Sequence, residues 1–198
     1  MKRKVRGPGK KDRRLSGMTK AIERFLEAAG LNLADENLQE TPRRVAQSYL
    51  REFLDGYGRD PAVVLSEQFP VSKKADRELV VVTNLRFRSM CPHHLMPYSG
   101  IAHIAYVPGK TVVGFGRLGD LVDLFAHRLV LQEELARNVS HALMTTLKTH
   151  GAACVLQAEQ ACLRLRGAEQ HEAVTHTEAY EGVLREPSLR AELWARIR

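Results

Sequence analysis

The stretch LVVVTNLRF, residues 79–87, is rich in valine and threonine and predicts a β-strand. It leads directly into the sequence Cys91-Pro92-His93-His94. A strand that runs into a turn of soft metal ligands is the most informative local pattern in the chain. It places a candidate chemical site at one end of a sheet.

The turn after this strand has the spacing of a metal site. Cys91 and His94 stand three residues apart, so a thiolate and an imidazole can bind one small ion, and Pro92 stiffens the turn between them. Cys162 is the best candidate for a third ligand. Two cysteines and one histidine would leave the fourth position of a tetrahedral zinc ion open for water, which is typical of a catalytic site. By itself, Cys-x-x-His is equally compatible with a buried free cysteine beside two surface histidines.

Further strands are predicted on the C-terminal side of this turn. Residues 101–107 form the second strand, and the turn Pro108-Gly109-Lys110 joins it in a hairpin to a short third strand at 111–115. Residues 152–166 predict a long strand and residues 173–180 another. Residues 62–71 are expected to be extended or loop.

Apolar residues at helical spacing predict helices at 18–30, 41–54, 118–125 and 132–149, with a short helix at most at 188–198. Thr41 is expected to cap its helix through its hydroxyl, with Pro42 in the first turn. These elements predict an α+β fold, an antiparallel sheet with helices on one face. We expect a single domain over residues 18–198.

Composition narrows the class of protein. The 198 residues suffice for a sizeable core, and no apolar run is long enough to suggest a membrane span or a secretory signal. Three cysteines with metal-like spacing, rather than a disulfide framework, favour a reducing cytoplasmic location. Cys154 lies in an apolar strand pattern, and a packed thiol is the favoured interpretation.

The net charge of +7 is concentrated at the N-terminus. Residues 1–14 contain eight basic residues and one acid, whereas the remainder has 22 of each sign. Residues 1–17 are therefore predicted to be a basic, disordered tail on a neutral body. The tail could contact polyanions weakly, but a solvated arm is the favoured interpretation.

Alternation along the predicted strand at 152–166 would place a metal ligand beside two cations. Residues two apart share one face of a strand, so Gln160, Cys162, Arg164 and Arg166 are expected on one side. The planar fork of arginine matches phosphate oxygens. A zinc-activated water and a phosphate-binding arginine on one wall suit a nucleotide substrate, although a lone arginine is usually only a surface charge.

Several motifs in order along the chain resemble the GTP cyclohydrolase I family, over roughly residues 18–182. The motifs are Thr41-Pro42-Arg43-Arg44-Val45-Ala46, Gly56-Tyr57, Cys91-Pro92-His93-His94-Leu95, Gly100-Ile101-Ala102-His103-Ile104-Ala105-Tyr106-Val107-Pro108, Leu131-Gln132-Glu133, Cys162 and Arg166-Gly167. This ordered set is far more specific than Cys-x-x-His alone. The resemblance implies the tunnelling fold, a four-stranded antiparallel sheet closed into a barrel by oligomerisation. It also implies a homodecamer with sites between subunits, which hydrolyses GTP to formate and 7,8-dihydroneopterin triphosphate.

The resemblance also implies roles for individual residues. Cys91, His94 and Cys162 fall on the zinc ligands, and His93 falls on a catalytic histidine that transfers protons at the purine ring. The resemblance further implies that Glu133, with Gln132 beside it, contacts the guanine edge, and that Arg166 and Arg117 contact the triphosphate.

The chain departs from the family pattern at three places. Gln160 replaces a second catalytic histidine, and glutamine cannot shuttle a proton. Pro92 replaces an acidic residue, and Gly116-Arg117 with Asp120 replaces the usual serine, lysine and arginine. Two alternatives therefore stay open: a zinc protein of this fold that binds a purine or pterin or stops at a ring-opened formamide, and an enzyme for another purine-like substrate.

Overall fold

Six strands are present in the computed structural model, which describes residues 10–71, 78–167 and 169–197. They are β1 Gln68–Pro70, β2 Val80–Met90, β3 Pro97–Val107, β4 Thr111–Val113, β5 Gly151–Gln160 and β6 Thr175–Gly182. Four of them form an antiparallel sheet in the order β2-β3-β5-β6. The predicted mixed fold with an antiparallel sheet is confirmed.

The register of this sheet sets the position of the metal-like turn. Met90 at the end of β2 pairs with Pro97 at the start of β3, and Tyr98 pairs with Gln160 at the end of β5. The turn after β2 and the chain after β5 therefore leave the sheet at the same end. Residues 91 and 162, far apart in sequence, follow the two strands that flank β3.

The predicted hairpin at residues 101–115 is wrong. β4 is only three residues long and pairs with β1, not with β3, in a separate two-stranded sheet with Val112 opposite Phe69. Residue 115 already begins a helix. Residues 62–71, expected to be extended or loop, supply β1 and most of a short helix.

Seven α-helices lie within the described residues: α1 Lys10–Ala28, α2 Thr41–Ser48, α3 Pro61–Val64, α4 Phe115–Ala126, α5 Gln132–Thr146, α6 Ala161–Arg164 and α7 Pro187–Ile197. α4 and α5 pack against the sheet through fully buried side chains such as Leu121, Leu135 and Leu143. These face Ile104 and Leu156 from β3 and β5 in one apolar core. None of the described helices is both long enough and apolar enough to cross a membrane.

The sequence predicted helices on one face of the sheet only, but helices pack against both faces. α7 packs Leu193 and Trp194 against Ala105, Ala153 and Val155 on the opposite face of the sheet. The reason lies in the alternation of β5, which is apolar on both sides over its first half. A strand of this kind needs a cover on each face.

The long strand predicted for residues 152–166 is also wrong in its second half. β5 ends at Gln160, and residues 161–164 form one helical turn closed by the hydrogen bond from Leu165 N to Ala161 O, 2.9 Å. Gln160, Cys162, Arg164 and Arg166 therefore do not share a strand face. The alanine and leucine of this stretch fit a helix as well as a strand, so alternation alone misled the prediction.

The described residues divide into two compact units between Leu54 and Asp55. In the first unit, α1 begins at Lys10, earlier than the predicted start at residue 18; the tail prediction for residues 1–9 lies outside the described residues. α2 has proline in its first turn as predicted, but Glu40 is its N-cap residue. The Thr41 hydroxyl instead donates back to Asn37 O at 3.3 Å, so its predicted capping role is wrong.

Candidate active site

A six-residue loop, Cys91 to Met96, connects β2 to β3 and carries two of the candidate ligands. Its two ends are fastened by hydrogen bonds from Cys91 N to Met96 O and from Leu95 N to Cys91 O, both 3.0 Å. Leu95 adopts φ 51°, in the left-handed region that lets the chain reverse. The loop therefore holds the buried Cys91 and the exposed His94 on the same side, with Cys91 Sγ 4.0 Å from His94 Nδ1.

The third candidate ligand comes from a different strand at the same end of the sheet. Cys162 lies in the helical turn α6, directly after β5, where it is half-buried. One donor atom from each of Cys91, His94 and Cys162 lies within 4.8 Å of the other two. Among the described residues, this is the group that could hold a metal ion. Cys162 joins the group from the helical turn α6, and not from the strand that the sequence predicted.

The donor set fits a zinc ion. Two sulfurs and one imidazole nitrogen are ligands that zinc prefers, and three protein ligands leave a fourth position for water. Burial raises the pKa of the Cys162 thiol, and the nearby Cys91 raises it further. Cys154, by contrast, is fully buried in the strand core, where burial raises the pKa of its thiol; the predicted packed thiol is confirmed.

A cleft of about 760 Å³ opens beside this cluster. Its walls come from the loop after β2, from the start of α5, from the end of β5 with α6, and from β6. The lining residues that bear chemistry are Cys91, His93, Gln132, Glu133, Arg137, Gln160, Cys162, Thr175 and His176. Six sequence-predicted site residues line this one cleft: Cys91, His93, Gln132, Glu133, Gln160 and Cys162.

Glu133 and His93 present free ends to this cleft. Glu133 is exposed in the first turn of α5, and His93 is exposed on the loop beside the metal-type cluster. Arg137, one helical turn after Glu133, and His176 on β6 were not predicted. The i,i+4 spacing from Glu133 could have indicated Arg137; no local signal indicates His176.

Gln132 differs from its neighbour because its side chain is engaged within the chain. It is 4% exposed. Its Nε2 donates to Leu156 O at 3.3 Å and to Thr175 O at 3.1 Å. Its Oε1 accepts from the Thr175 hydroxyl at 2.6 Å and from Gln160 Nε2 at 2.8 Å. This amide joins α5, β5 and β6 and has no free hydrogen-bonding group for a substrate.

The two arginines predicted to bind phosphate do not form part of the cleft wall. Arg117, on α4, pairs with Asp120 at 3.0 Å and with Glu67 at 3.4 Å, and these carboxylates raise the pKa of its guanidinium. Asp120 is therefore a partner of Arg117. Neither Arg117 nor Arg166 is among the described residues that line the cleft.

Two residues that could have replaced the missing histidine are also outside the cleft. His103 is 3% exposed on β3, opposite Val155, on the sheet face that α7 covers in part. Glu159 pairs with Arg164 and lines other hollows of the surface. Arg164 is therefore engaged away from the metal-type cluster, contrary to the predicted common wall.

Comparison with known proteins gives consistent matches. The family model described as GTP cyclohydrolase I matches residues 18–198. The chain is 39% identical to GTP cyclohydrolase 1 of Leifsonia xyli over 89% of this chain and 92% of that protein, and 40% identical to GTP cyclohydrolase 1 of Corynebacterium glutamicum over 91% of each. A crystal structure of the archaeosine synthase QueF-Like in the apo form is similar over 52% of this chain and 93% of that chain, with 19% identity and a TM-score of 0.42.

Proposed function

Because this chain belongs to the GTP cyclohydrolase I family, we propose that its cleft hydrolyses GTP, opening the imidazole ring to release formate and give 7,8-dihydroneopterin triphosphate. It is an enzyme of the GTP cyclohydrolase I type. The observation that carries the proposal is the meeting of the Cys91, His94 and Cys162 donor atoms beside a cleft that also contains His93 and Glu133.

Zinc is the proposed cofactor, held by Cys91, His94 and Cys162. Zinc bound at three protein ligands supplies a water molecule whose pKa is lowered to about 7. The chain's own contribution is to fix the donors at the end of the sheet. The fastened loop at residues 91–96 positions two ligands, and the turn after β5 positions the third.

Glu133 is the proposed reader of the base. A carboxylate accepts two hydrogen bonds at once, and the guanine edge offers two adjacent N–H donors, whereas adenine offers no such pair. Glu133 lies at the start of α5 on the wall of the cleft. Its contact with guanine would orient the imidazole ring of the base toward Cys91, His94 and Cys162.

His93 is the proposed proton carrier. It is next to the ligand His94, lines the cleft and is exposed, so it can exchange protons with both substrate and solvent. Imidazole is the side chain best suited to proton transfer near neutral pH. In this role His93 protonates the nitrogens of the purine ring as its C–N bonds are broken.

The triphosphate contacts are proposed to form between subunits. Arg117 and Arg166 do not line the cleft of one chain, yet both are exposed. The outer edges of β2 and β6 have no neighbouring strand among the described residues, and unpaired edges favour association. We therefore propose that the sheets close into a barrel in a homo-oligomer, ten subunits by family resemblance, in the cytoplasm. Sedimentation of a monomer at micromolar concentration would contradict this assembly.

One observation favours a second candidate function. Gln160 occupies the cleft position at which the family resemblance implies a second histidine, and its amide is hydrogen-bonded to Gln132. Without that acid–base group, the enzyme could open the ring and stop at the formamide, or bind a purine or pterin without turnover. Loss of a general acid typically costs 10²–10⁴-fold in rate.

The deciding experiment incubates zinc-loaded protein with GTP and follows formate, pterin fluorescence and the ring-opened formamide by mass spectrometry. Formate with pterin establishes the full reaction, and formamide alone establishes the shortened one. Gln160→His should raise formate release if the second step is limited by the missing histidine. No GTP consumption, with zinc bound, would contradict both hydrolytic proposals.

A further inference from the structure

The hydrogen bonds of Gln132 fix which end of its amide is which. Two backbone carbonyls, Leu156 O and Thr175 O, lie at one end, and carbonyls only accept. That end must be the NH₂ group. The opposite end is therefore the carbonyl oxygen, to which the Thr175 hydroxyl donates at 2.6 Å.

This assignment in turn fixes Gln160. The Gln160 amide approaches the Gln132 carbonyl oxygen at 2.8 Å, so it must present its own NH₂ group there. Its carbonyl oxygen points away from Gln132. No described residue donates to that oxygen, and it is not among the buried atoms that lack a partner, so it is open to solvent. Since Gln160 lines the cleft two residues before Cys162, the cleft receives a hydrogen-bond acceptor at this point.

We propose that Gln160 Oε1 is a specificity-determining acceptor for an N–H group on the imidazole side of the substrate, and that Gln132 is the positioning residue that keeps it so. The inference rests on the proposed function, which places the imidazole ring against the cysteine cluster. It assigns the acceptor to Gln160 and removes Gln132 from the predicted substrate contacts.

The chemistry of ring opening explains what such an acceptor selects. The imidazole ring of GTP has no N–H, because N7 is an acceptor and N9 carries the ribose. When water adds its oxygen to C8 and the C8–N9 bond breaks, the two protons of water end on N7 and N9. The resulting formamide therefore has N–H donors at both nitrogens. Gln160 gains a hydrogen bond with the ring-opened species that it cannot form with GTP.

The consequence is preferential retention of the ring-opened species. A histidine at this position could give up a proton, whereas this amide only accepts one hydrogen bond and holds the donor in place. The Gln160 carbonyl would favour ring-opened over intact nucleotide by the worth of one buried hydrogen bond, roughly 3- to 10-fold in binding.

Two analogues that keep the guanine edge and the triphosphate provide the test. 8-Oxo-GTP has an N–H at N7, and 7-deaza-GTP has a carbon there and no donor. Dissociation constants for both are measured by calorimetry on the zinc-loaded oligomer, with unmodified protein, Gln160→Met and Gln157→Met. Gln157 lies on the same strand but lines a different hollow, so it is a matched control for the same chemical change.

We expect the preference for 8-oxo-GTP over 7-deaza-GTP to fall about 3- to 10-fold in Gln160→Met and to be unchanged in Gln157→Met. Any contact of the added C8 oxygen is common to all three proteins and cancels in this comparison. Thr175→Val removes the hydroxyl that donates to Gln132 Oε1 and so holds Gln132, and through it Gln160, less firmly. It should lower the preference for 8-oxo-GTP over 7-deaza-GTP by a smaller factor.

An equal preference in unmodified protein and Gln160→Met, with GTP still hydrolysed, overturns this inference and leaves the proposed function standing. Failure of GTP and both analogues to bind, together with absence of formate, overturns the proposed function and the inference with it. Zinc content and the far-ultraviolet circular dichroism of each variant identify any variant that has lost its site through misfolding, and the Thr175→Val result then decides.

Discussion

The two halves of β5 differ sharply although they belong to one strand. Residues 151–156 are buried on both faces, between the α4 and α5 layer on one side and α7 on the other. Residues 157–160 are polar except for Ala158, and the last of them lines the cleft. The first half is apolar because other elements pack against both of its faces, and the second half is polar because it reaches solvent.

This contrast separates stability from chemistry along ten residues. Substitutions in the first half should lower the free energy of unfolding and leave the cleft able to bind. Substitutions at or just beyond the second half should change metal binding or turnover and leave the fold intact.

The largest effect is expected just beyond the polar end. Cys162→Ala removes one of three candidate ligands, and since even groups that only orient a ligand are worth about 10–100-fold in metal affinity or activity, formate release should fall by at least about 100-fold. Metal analysis and formate release measure this. Cys154→Ala is the matched control, because it removes a cysteine sulfur from the buried half of β5. This control variant should bind as much zinc as the unmodified protein. Unchanged zinc in Cys162→Ala would show that the third ligand is another residue.

At the buried end, Leu156→Ala should give the largest loss of stability. Leu156 is fully buried in the core, and removal of a buried leucine side chain costs about 2–5 kcal/mol of unfolding free energy. Denaturant unfolding of the zinc-loaded protein checks this. If the folded Leu156→Ala variant also lost zinc or GTP binding, stability and binding would not be separated between the two halves of β5.

A smaller effect is expected on base selection. Glu133→Gln replaces a double acceptor by a group with one acceptor, so it should weaken GTP binding by about 1–3 kcal/mol while zinc content stays constant. Glu134→Gln, at the exposed neighbouring position of α5 outside the cleft lining, is the charge-matched control. Equal affinity of the unmodified protein for ATP and GTP would rule out this role for Glu133.

The smallest effect concerns pH and the buried half of the sheet. Burial lowers the pKa of His103, which lies opposite Val155, so the folded state favours the neutral imidazole. Above the unfolded pKa near 6.5 the residue contributes no pH dependence; as pH falls below that value, the unfolded chain takes up the proton first and stability declines.

His103→Gln should therefore flatten the decline of unfolding free energy between about pH 7 and pH 5, measured by denaturant titration. His171→Gln, at an exposed position, is the matched control for the same chemical change. A steeper slope in His103→Gln would mean that the protonated form of His103 is the one stabilised by folding.

Much of the fold was accessible from patterns in the sequence. Short runs rich in apolar residues located β2, β3 and β5, and apolar periodicity located α4 and α5 to within a few residues. Cys91, His94 and Cys162 were grouped correctly as neighbours, because thiolate and imidazole are the ligands that zinc prefers.

The main errors concerned short segments or side-chain contacts that no local sequence pattern specifies. β4 pairs with β1 across more than 40 positions, and no local pattern specifies that choice. The helical turn after Gln160 has too few residues to show a period. The engagement of the Gln132 amide with Thr175 and Gln160 depends on three elements at once, so it emerged only from the fold.

The two-segment origin of the metal-type cluster has a consequence for the chain as a polymer. Cys91 and Cys162 are about 70 residues apart, and an ion shared between them would act as a reversible crosslink that closes this loop. For a covalent link, closing a loop of such length removes enough disorder from the unfolded chain to be worth up to about 4 kcal/mol. A zinc ion bound there would hold two distant segments of the folded chain together as well as activate water. Removal of that ion by a chelator would therefore lower the melting temperature of the protein.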